Sequence, residues 1–274
     1  MFRTDTKMPP WLAWVLAILP FVLLAALYLW GADYLRYLAE HAADGQSTAS
    51  PKLMPLVSEM LDGLRRVALE PDGQGEFRLW SDTVATVSRF ATGMFFVSFG
   101  VIIGLYMGTF PIVNALLFRF FVFLDKVPPL LLLPVIFLAF GTDEFSKVML
   151  VVIGVLPGVV IDAQMRTKEI RREQIQKAQT LGASEQEIAW TVIFPQILPK
   201  MLGTLRLNFK AAWIYVIAGE FIAASEGLGY RVFVVKRYVA MDIIIPYVIW
   251  ATILVFALDL LFQWLESRYR WVGK

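Results

Sequence analysis

The sequence predicts an all-α integral membrane protein with about six transmembrane helices. Its 274 residues are 58% hydrophobic and only 18% charged, and its mean hydropathy of +0.63 is too high for an ordinary soluble domain. The first apolar run, from Trp11 to Trp30, is about 20 residues long, which is enough to cross a hydrocarbon core of about 30 Å as a helix. A cleaved signal peptide usually has a shorter apolar region, of about 7 to 15 residues. We therefore interpret this run as a retained span.

Five further apolar segments complete the predicted set of spans. Pro128 and Pro129 interrupt the third span. We therefore expect its first part to lie near the membrane interface and its second part, LLLLPVIFLAF, to make the crossing. The five segments are 86–109, 112–141, 145–163, 203–222 and 243–264. An even number of spans places both termini on the same side of the membrane.

The distribution of Lys and Arg near the span ends predicts the orientation. Segment 164–210 contains Arg166, Lys168, Arg171, Arg172, Lys177, Lys200, Arg206 and Lys210 against four acids. Because cytoplasmic loops are enriched in basic residues, this segment and both termini are predicted to be cytoplasmic. The basic residues near the termini agree: Arg3, Lys7, Arg268, Arg270 and Lys274. Those of the last outer loop do not: Arg231, Lys236 and Arg237.

This topology divides the chain into consecutive parts. They are an N-terminal tail with the first span (1–31), an external loop (32–85), a membrane core (86–264) with a cytoplasmic loop (164–202), and a cytoplasmic tail (265–274). Apolar residues of the external loop recur at helical spacing between Leu56 and Ala68. They predict an amphipathic helix that packs at the interface or against the spans. A surface for docking a partner is the alternative interpretation.

The cytoplasmic loop predicts two short helices joined by a tight turn. The first helix begins near Lys168, and Gly182 supplies the left-handed residue at which helices commonly end. Ser184 and Glu187 have the spacing of a capping box, so a second helix is expected to begin immediately and to end at Pro195. A connector that lies flat on the lipid headgroups would give the same pattern. The second helix has no Lys or Arg with which to read DNA.

Several kinds of chemistry are excluded by the residue types. The chain has no cysteine and a single histidine, His41, in a predicted polar loop, so no metal site is predicted. The sequence contains no HExxH or GxSxG motif, which leaves no candidate catalytic residue for an integral membrane enzyme. It also lacks the GxxxxGK[ST] phosphate loop, so the chain is expected to bind no cofactor itself. The net charge of +2 gives no reason to expect nucleic acid.

The cytoplasmic loop also carries a family pattern. The spacing Ala178, Gly182 and Val192-Ile193-Phe194-Pro195 resembles the EAA loop of ABC importer permeases. Segments 128–148 and 205–230 and the helix from Pro55 to Leu69 look like the nitrate, sulfonate and taurine branch of that family. The resemblance covers most of residues 53–264 and implies the fold of a type I ABC importer permease.

The sequence departs from the family pattern in two places. The Glu-Ala-Ala of the family is replaced by Gln176-Lys177-Ala178, so the acid expected to pair with a basic group of the ATPase is missing. Either Glu173 replaces that acid or the docking surface uses neutral hydrogen bonds. The segment at 31–52 is longer than the branch leads us to expect.

The resemblance implies an assembly and assigns sites. The expected partners are a second permease copy, two cytoplasmic ABC ATPase subunits that hold ATP and Mg, an external substrate-binding protein and the lipid of a bacterial inner membrane. The residues expected to couple to the ATPase are Gln176, Lys177, Ala178, Gly182, Ser184, Glu187 and Pro195. Those expected to line the translocation path are Asn208, Trp213, Tyr215 and Glu220, with Lys210 and Asp259 near the span ends. Gly227 and Gly229 are expected at a gate or turn of the outer mouth.

The implied function is ATP-driven import by alternating access of a small solute, such as nitrate, a sulfonate, taurine or another small nitrogen compound. Glu220 is an ionisable residue at membrane depth, which is by default a functional-site hypothesis. It would favour a cationic, guanidinium-like cargo, or it would serve a structural hydrogen bond. A channel or scaffold with no ATPase partner is the alternative from another class, and copurification would separate the two.

Overall fold

The computed structural model describes residues 9–41, 51–71, 73 and 75–269, and every regular element within these ranges is helical. The helices are α1 Pro10–Glu40, α2 Val57–Leu69, α3 Arg78–Thr109, α4 Pro111–Asp125, α5 Pro129–Phe140, α6 Glu144–Lys168, α7 Arg172–Thr180, α8 Glu185–Glu187, α9 Phe194–Leu207, α10 Phe209–Ala223, α11 Leu228–Lys236 and α12 Met241–Tyr269. A 3₁₀ turn, Pro51–Leu53, precedes α2, and a π-helical turn, Ile188–Ile193, joins α8 to α9. Arg3, Lys7, Arg270, Lys274 and segment 42–50 lie outside the described residues.

The number of candidate spans agrees with the sequence prediction, but one of them is placed differently. The stretch Glu185–Leu207 is long and apolar enough to cross a membrane, although 164–202 was predicted as a cytoplasmic loop, and α10, in the predicted span 203–222, has only 15 residues and is not among the candidates. Five helical stretches within the described residues are long and apolar enough to cross a membrane, and a sixth crossing is formed if α4 and α5 count as one broken span. The axes of α4 and α5 differ by 101° across the break at residues 126–128. The predicted interruption of the third span is therefore confirmed, because a proline and its preceding residue do not continue a helix.

Several predicted boundaries differ from the structure. Helix α1 continues to Glu40, ten residues past the predicted end of the first span at Trp30. Helix α3 begins at Arg78, eight residues before the predicted start of the second span at 86, so part of the predicted external loop is helical. The predicted span 203–222 is divided at Asn208, since α9 ends at Leu207 and α10 begins at Phe209. The Asn208 side chain donates a hydrogen bond to the carbonyl oxygen of Thr204 at 2.9 Å. A short amide side chain that bonds to a backbone carbonyl in this way competes with the backbone hydrogen bonds of the helix.

The described residues form two compact units. Residues up to Glu70 together with Val235–Pro246 form the first unit. In it, the hydroxyl of Tyr28 on α1 donates to the carbonyl oxygen of Pro55 at 2.8 Å, and Arg66 on α2 pairs with Asp242 at 2.8 Å. Val67 of α2 is buried. The predicted amphipathic helix thus packs within its unit.

Pro71–Val234 and the residues from Tyr247 onward form the second unit. Its centre is the pair α3 and α6, which lie so close that glycine is required along the seam. A Cβ at Gly104 would lie 2.4 Å from the carbonyl oxygen of Val160, and a Cβ at Gly108 would lie 2.3 Å from the Cβ of Thr167. Small residues allow this close approach of membrane helices. Leu133, Ile136 and Leu150 form a further apolar cluster where α5 meets α6.

Candidate functional site

Helix α7 ends in a tightly bonded, left-handed turn. The N–H of Ala183 donates to the carbonyl oxygen of Ala178 at 3.1 Å, and the N–H of Gly182 donates to that of Gln179 at 3.0 Å. This pair of bonds is the Schellman motif, whose left-handed residue is Gly182 with φ +85°. Leu181, which precedes the glycine, has 88% of its surface exposed. The predicted stop at Gly182 is confirmed.

The predicted capping box begins the next helix. The N–H of Glu187 donates to the Ser184 hydroxyl oxygen at 3.3 Å, and the N–H of Ser184 donates to the Glu187 carboxylate at 2.8 Å. These two bonds satisfy donors that a helix start leaves unpaired. Together, the Schellman turn and the capping box fix the geometry of residues 181–187. We call α7, this turn and the π-helical turn the coupling segment, residues 172–193, after the predicted role in coupling to the ATPase, which stays a prediction.

The prediction that the second helix ends at Pro195 is wrong. The π-helical turn Ile188–Ile193 leads directly into α9, which passes Pro195 and Pro199 and ends at Leu207. Pro195 falls in the first turn of α9, where the missing N–H of a proline costs little. The Gln196 side chain also donates to the carbonyl oxygen of Val192 at 2.7 Å.

The coupling segment has a buried base and an exposed tip. Ile188, Ala189 and Ile193 are buried, and the indole N–H of Trp190 donates to the hydroxyl of Tyr106 on α3 at 3.2 Å. Around the tip, Gln176, Lys177, Gly182, Ser184 and Glu187 are exposed and Ala178 is half-buried. Glu173, the predicted replacement for the missing acid, is also exposed. The segment thus presents polar groups on an element fixed to the spans.

One ion pair and one hydrogen bond connect the C-terminal end of α6 to α9. Glu169 pairs with Lys200 at 3.1 Å and with Arg166 at 3.4 Å, and the hydroxyl of Thr204 donates to Asp162. The hydrogen bond from Lys200, followed by the charges of Lys200 and Arg166, lowers the pKa of Glu169 from its ordinary value. A displacement of α6 at this end is therefore resisted by α9.

At the C-terminal end of α10, which is the end away from α9, a buried polar network holds the turn that leads into α11. Three successive backbone N–H groups of the turn donate to side chains: Gly227 to Asp82 at 2.9 Å, Leu228 to the Thr86 hydroxyl at 2.8 Å and Gly229 to Glu220 at 2.8 Å. Gly227 has φ +125°, which a residue with a Cβ rarely adopts. A tight bend at Gly227 is present as predicted, whereas its role as a gate stays a prediction; we call residues 224–229 the gate turn after that predicted role.

Arg89 is the cation at the centre of the network. Its guanidinium donates to Glu220 at 2.7 Å, to Glu144 at 2.8 Å and to the carbonyl oxygen of Glu226 at 2.9 Å. Arg89 is 3% exposed and Glu220 is 0% exposed, whereas Glu144 is 62% exposed. Glu144 also accepts from Lys147 at 2.7 Å. The buried charges are paired and hydrogen-bonded, as burial in a low-dielectric interior requires.

A second buried acid explains a residue that contradicted the orientation rule. Asp82 is fully buried and accepts from Arg231 at 2.8 Å and from the hydroxyl of Tyr247 at 3.1 Å. Because its charge is neutralised by Asp82, Arg231 does not act as a free positive charge of the predicted outer loop.

The structure does not bring the four predicted path residues to one surface. Trp213 lines a cavity of about 380 Å³ between α10 and α12, and Lys210 lines it too. Tyr215 packs against the apolar cluster of α5 and α6. Asn208 is half-buried and bonded to its own helix, and Glu220 belongs to the network. Their role in a path stays a prediction. Asp259 pairs with Arg206 at 3.2 Å.

Sequence reasoning missed the partners of Glu220. Asp82, Thr86 and Arg89 lie at intervals of four and three residues, which places them on one face of α3. Three polar residues on one face of an apolar helix were the available signal. They were overlooked because the second span was predicted to begin only at 86.

The fold, with its five or six helical crossings and its punctuated segment between two of them, defines a multi-span helical membrane protein. Residues 97–271 match the family model of binding-protein-dependent transport system inner membrane components, and the chain belongs to this family. It is 32% identical over 227 residues to the taurine transport system permease protein TauC of Escherichia coli, with 82% of each chain covered. It is 24% identical to the bicarbonate transport system permease protein CmpB of Synechococcus elongatus, with 71% of this chain and 69% of that protein covered.

The fold is also similar to that of a solved transporter. A chain of the MetNI methionine ABC transporter in an inward-facing conformation matches with a TM-score of 0.56 at 20% identity, covering 71% of this chain and 97% of that one. The chain thus has the fold of a type I ABC importer permease. It is a transport component of the inner membrane, and ATP hydrolysis belongs to a separate ATPase subunit.

Proposed function

We propose that this permease subunit transmits movement of its ATPase through the coupling segment and thereby switches a solute path between outward and inward access. The observation that carries the proposal is the construction of residues 172–193. An exposed tip is fixed by a Schellman turn and a capping box, and its base is buried against the spans. A segment built in this way moves as a rigid body, as lever-like transitions require.

The connections of the segment support this mechanism. The coupling segment follows α6 in the chain and continues into α9. The ion pair between Glu169 and Lys200 also joins the adjoining ends of these two helices. Movement of the tip would therefore be passed to α6 and α9 together. In the proposed assembly, two copies of the chain enclose the path, two ATPases bind at the cytoplasmic side and the binding protein delivers the solute from outside.

The gate turn is proposed to close the outer end of the path. Its three backbone bonds to Asp82, Thr86 and Glu220 tie α11 to α3 and α10. A rearrangement of those helices would therefore have to move or release the turn. Glu220 is fully buried and paired with Arg89, so it serves this structure and is not available to a cationic cargo.

The proposed cargo is a small polar solute with an anionic group, such as a sulfonate, nitrate or a taurine-like zwitterion. The support comes from two relatives, which are permease proteins of a taurine transport system and of a bicarbonate transport system. Both of these solutes carry an anionic oxygen-rich group.

Affinity purification of the full chain in detergent tests the proposal against an ATPase-independent channel. The proposal predicts that an ATP-hydrolysing subunit copurifies and that Leu181→Asp, which places a charge at the 88% exposed tip, reduces its recovery. Leu69→Asp is the matched control, because Leu69 is 66% exposed and ends α2, which lies outside the predicted spans. A homogeneous chain with no such partner would support the channel instead.

A further inference from the structure

A cavity of about 570 Å³ lies between α3 and α6, away from the coupling segment. Gly93 of α3 lies against Val151 of α6. Farther along, Gly108 lies against Thr167, so the two helices run in the same direction. The polar residues that line the cavity all belong to the N-terminal halves of these helices: Ser88, Arg89, Thr92 and Glu144. The rest of the lining is apolar, with Phe96 and Phe99 on α3 and Val148, Val152 and Leu156 on α6. The cavity thus combines one charged end with an apolar wall.

Two buried cations share one exposed acid at the charged end. The buried guanidinium of Arg89 donates to Glu144 at 2.8 Å. Lys147 is 4% exposed and does not itself line the cavity, but its ammonium group donates to the same carboxylate at 2.7 Å. Within the described ranges Lys147 pairs with no other acid, whereas Arg89 has Glu220 as a second partner. Glu144 is therefore the counterion that both cations have in common.

Separation of the three groups has unequal consequences for them. The Glu144 carboxylate is 62% exposed and already largely hydrated, so leaving its place costs it little. The two cations would stay buried with only Glu220 between them, and an uncompensated buried charge is strongly unfavourable. Glu226 does not replace the lost acid, because its carboxylate accepts from the Ser81 hydroxyl at 3.4 Å and does not line the cavity. The place of Glu144 is thus one that another anion can take.

We propose that the anionic group of the transported solute displaces Glu144 and binds to Arg89 and Lys147 in this cavity. The inference rests on the proposed function, since it concerns the anionic cargo proposed there. A sulfonate or a carboxylate offers several acceptor oxygens, and a guanidinium binds two of them side by side. The volume lies within the range of about 300–1,000 Å³ that small-molecule sites occupy. The apolar wall suits a short alkyl chain attached to the anionic group.

Arg89 connects this site to the gate turn. The guanidinium that donates to Glu144 also donates to the carbonyl oxygen of Glu226 in the gate turn at 2.9 Å. It donates in addition to Glu220, which accepts from the N–H of Gly229. Replacement of Glu144 by a solute therefore changes a contact of the residue that holds this turn, and the solute acts on the gate turn through Arg89.

The test is rescue of Glu144→Ala by an added anion, measured as thermal unfolding of the full chain in an uncharged detergent. The variant leaves the two cations without their shared acid, so its unfolding midpoint should be lower than that of the wild type. Sodium methanesulfonate, replacing sodium chloride at constant ionic strength, should raise that midpoint. Dimethyl sulfone, a neutral molecule of similar shape, should not raise it. The titration gives an apparent Kd, and the wild type should bind methanesulfonate about tenfold or more weakly than Glu144→Ala, because Glu144 competes for the place.

Further variants determine whether the anion binds at the place of Glu144. Asp143→Ala is the matched control, since this neighbouring acid is exposed, makes no side-chain capping bond to α6 and does not line the cavity. Addition of Lys147→Met to Glu144→Ala should weaken methanesulfonate binding about tenfold or more, because it removes one of the two charged donors. If Glu144→Ala does not fold, Glu144→Gln, which keeps the side-chain length and removes the charge, is titrated in its place.

Absence of stabilisation by methanesulfonate in the Glu144 variant would overturn the proposal. So would equal affinities of the wild type and the Glu144 variant, an equal gain in affinity in Asp143→Ala, or equal rescue by dimethyl sulfone. The titration uses this chain without an ATPase, whereas the proposed function is tested by copurification of one. Failure of the anion site is therefore distinguishable from failure of the proposed function.

Discussion

Removal of Arg89 should destabilise the chain more than any exposed charge does. In Arg89→Met, Glu220 would remain fully buried and would lose the cation that lies 2.7 Å from it. Breaking a buried ion pair by removing one partner costs about 3–5 kcal/mol, because an uncompensated charge stays buried. Loss of the Glu144 contact adds at most about 1 kcal/mol, since Glu144 is 62% exposed and can be hydrated. The expected loss of stability is therefore about 3–6 kcal/mol.

The assay is thermal and denaturant unfolding of the detergent-purified chain, in a double-mutant cycle with Glu220→Gln. Gln keeps the shape of Glu220 and removes its charge, so Arg89→Met/Glu220→Gln no longer buries an unpaired carboxylate. The loss in the double variant should be smaller than the sum of the single losses by about 1–3 kcal/mol. An Arg89→Met chain that unfolds like the wild type, or a strictly additive cycle, would refute the role of this pair in holding the gate turn.

Three further outcomes follow from the geometry. Gly227→Ala should destabilise the chain by about 1–3 kcal/mol, because φ is +125° and the new Cβ would lie 2.5 Å from the Cδ of Glu220; unfolding measures this. The chain has no cysteine, so a single introduced cysteine reports the side of the membrane. Because the predicted topology places Leu181 in the cytoplasm and Arg65 of α2 outside, Leu181→Cys should react with a membrane-impermeant maleimide only in inside-out vesicles and Arg65→Cys only in right-side-out vesicles. Because the pKa of Glu169 is lowered in the folded chain, its stabilising contribution is present above its unfolded value and is lost as the pH falls through the folded value. The unfolding midpoint of Glu169→Gln should thus change less than that of the wild type on acidification from neutral pH.

Gly203 provides the control for Gly227, because only Gly227 of the two has a positive φ. Gly203→Ala should be nearly neutral, because its new Cβ would have 3.8 Å to the nearest atom of Glu266; equal effects at both glycines would contradict the account of the gate turn. Labelling of both cysteines from one side would contradict the predicted topology. Identical pH profiles of the wild type and Glu169→Gln would show that the pair with Lys200 contributes nothing to stability.

Local features of the fold were predictable because they depend on neighbouring residues. Five of the six predicted spans follow from apolar length, whereas the candidate span Glu185–Leu207 was not predicted. The bend in the third span follows from Pro128 and Pro129, and the turn of the coupling segment follows from Gly182 and the Ser184 to Glu187 spacing. Each of these is determined within a few residues along the chain.

The network around the gate turn was not predictable in the same way. Arg89 and Glu220 are 131 residues apart, and Asp82 and Arg231 are 149 residues apart. Hydropathy shows that such residues lie in or near spans, but it does not show which of them pair. The end of the second cytoplasmic helix was misplaced for a local reason, since no simple pattern distinguishes a proline that ends a helix from one in the first turn after a π-helical turn, as at Pro195.

The most direct test of the central claim is the ratio of solute imported to ATP hydrolysed by the reconstituted assembly with Gly182→Val. Gly182 has φ +85° and open space around its Cβ position, so valine disturbs only the backbone of the tip turn, at a cost of about 1–3 kcal/mol. The account predicts that ATP hydrolysis continues or falls while import per ATP drops sharply, and that Gly203→Ala retains the wild-type ratio. An unchanged ratio in Gly182→Val would contradict transmission through the coupling segment.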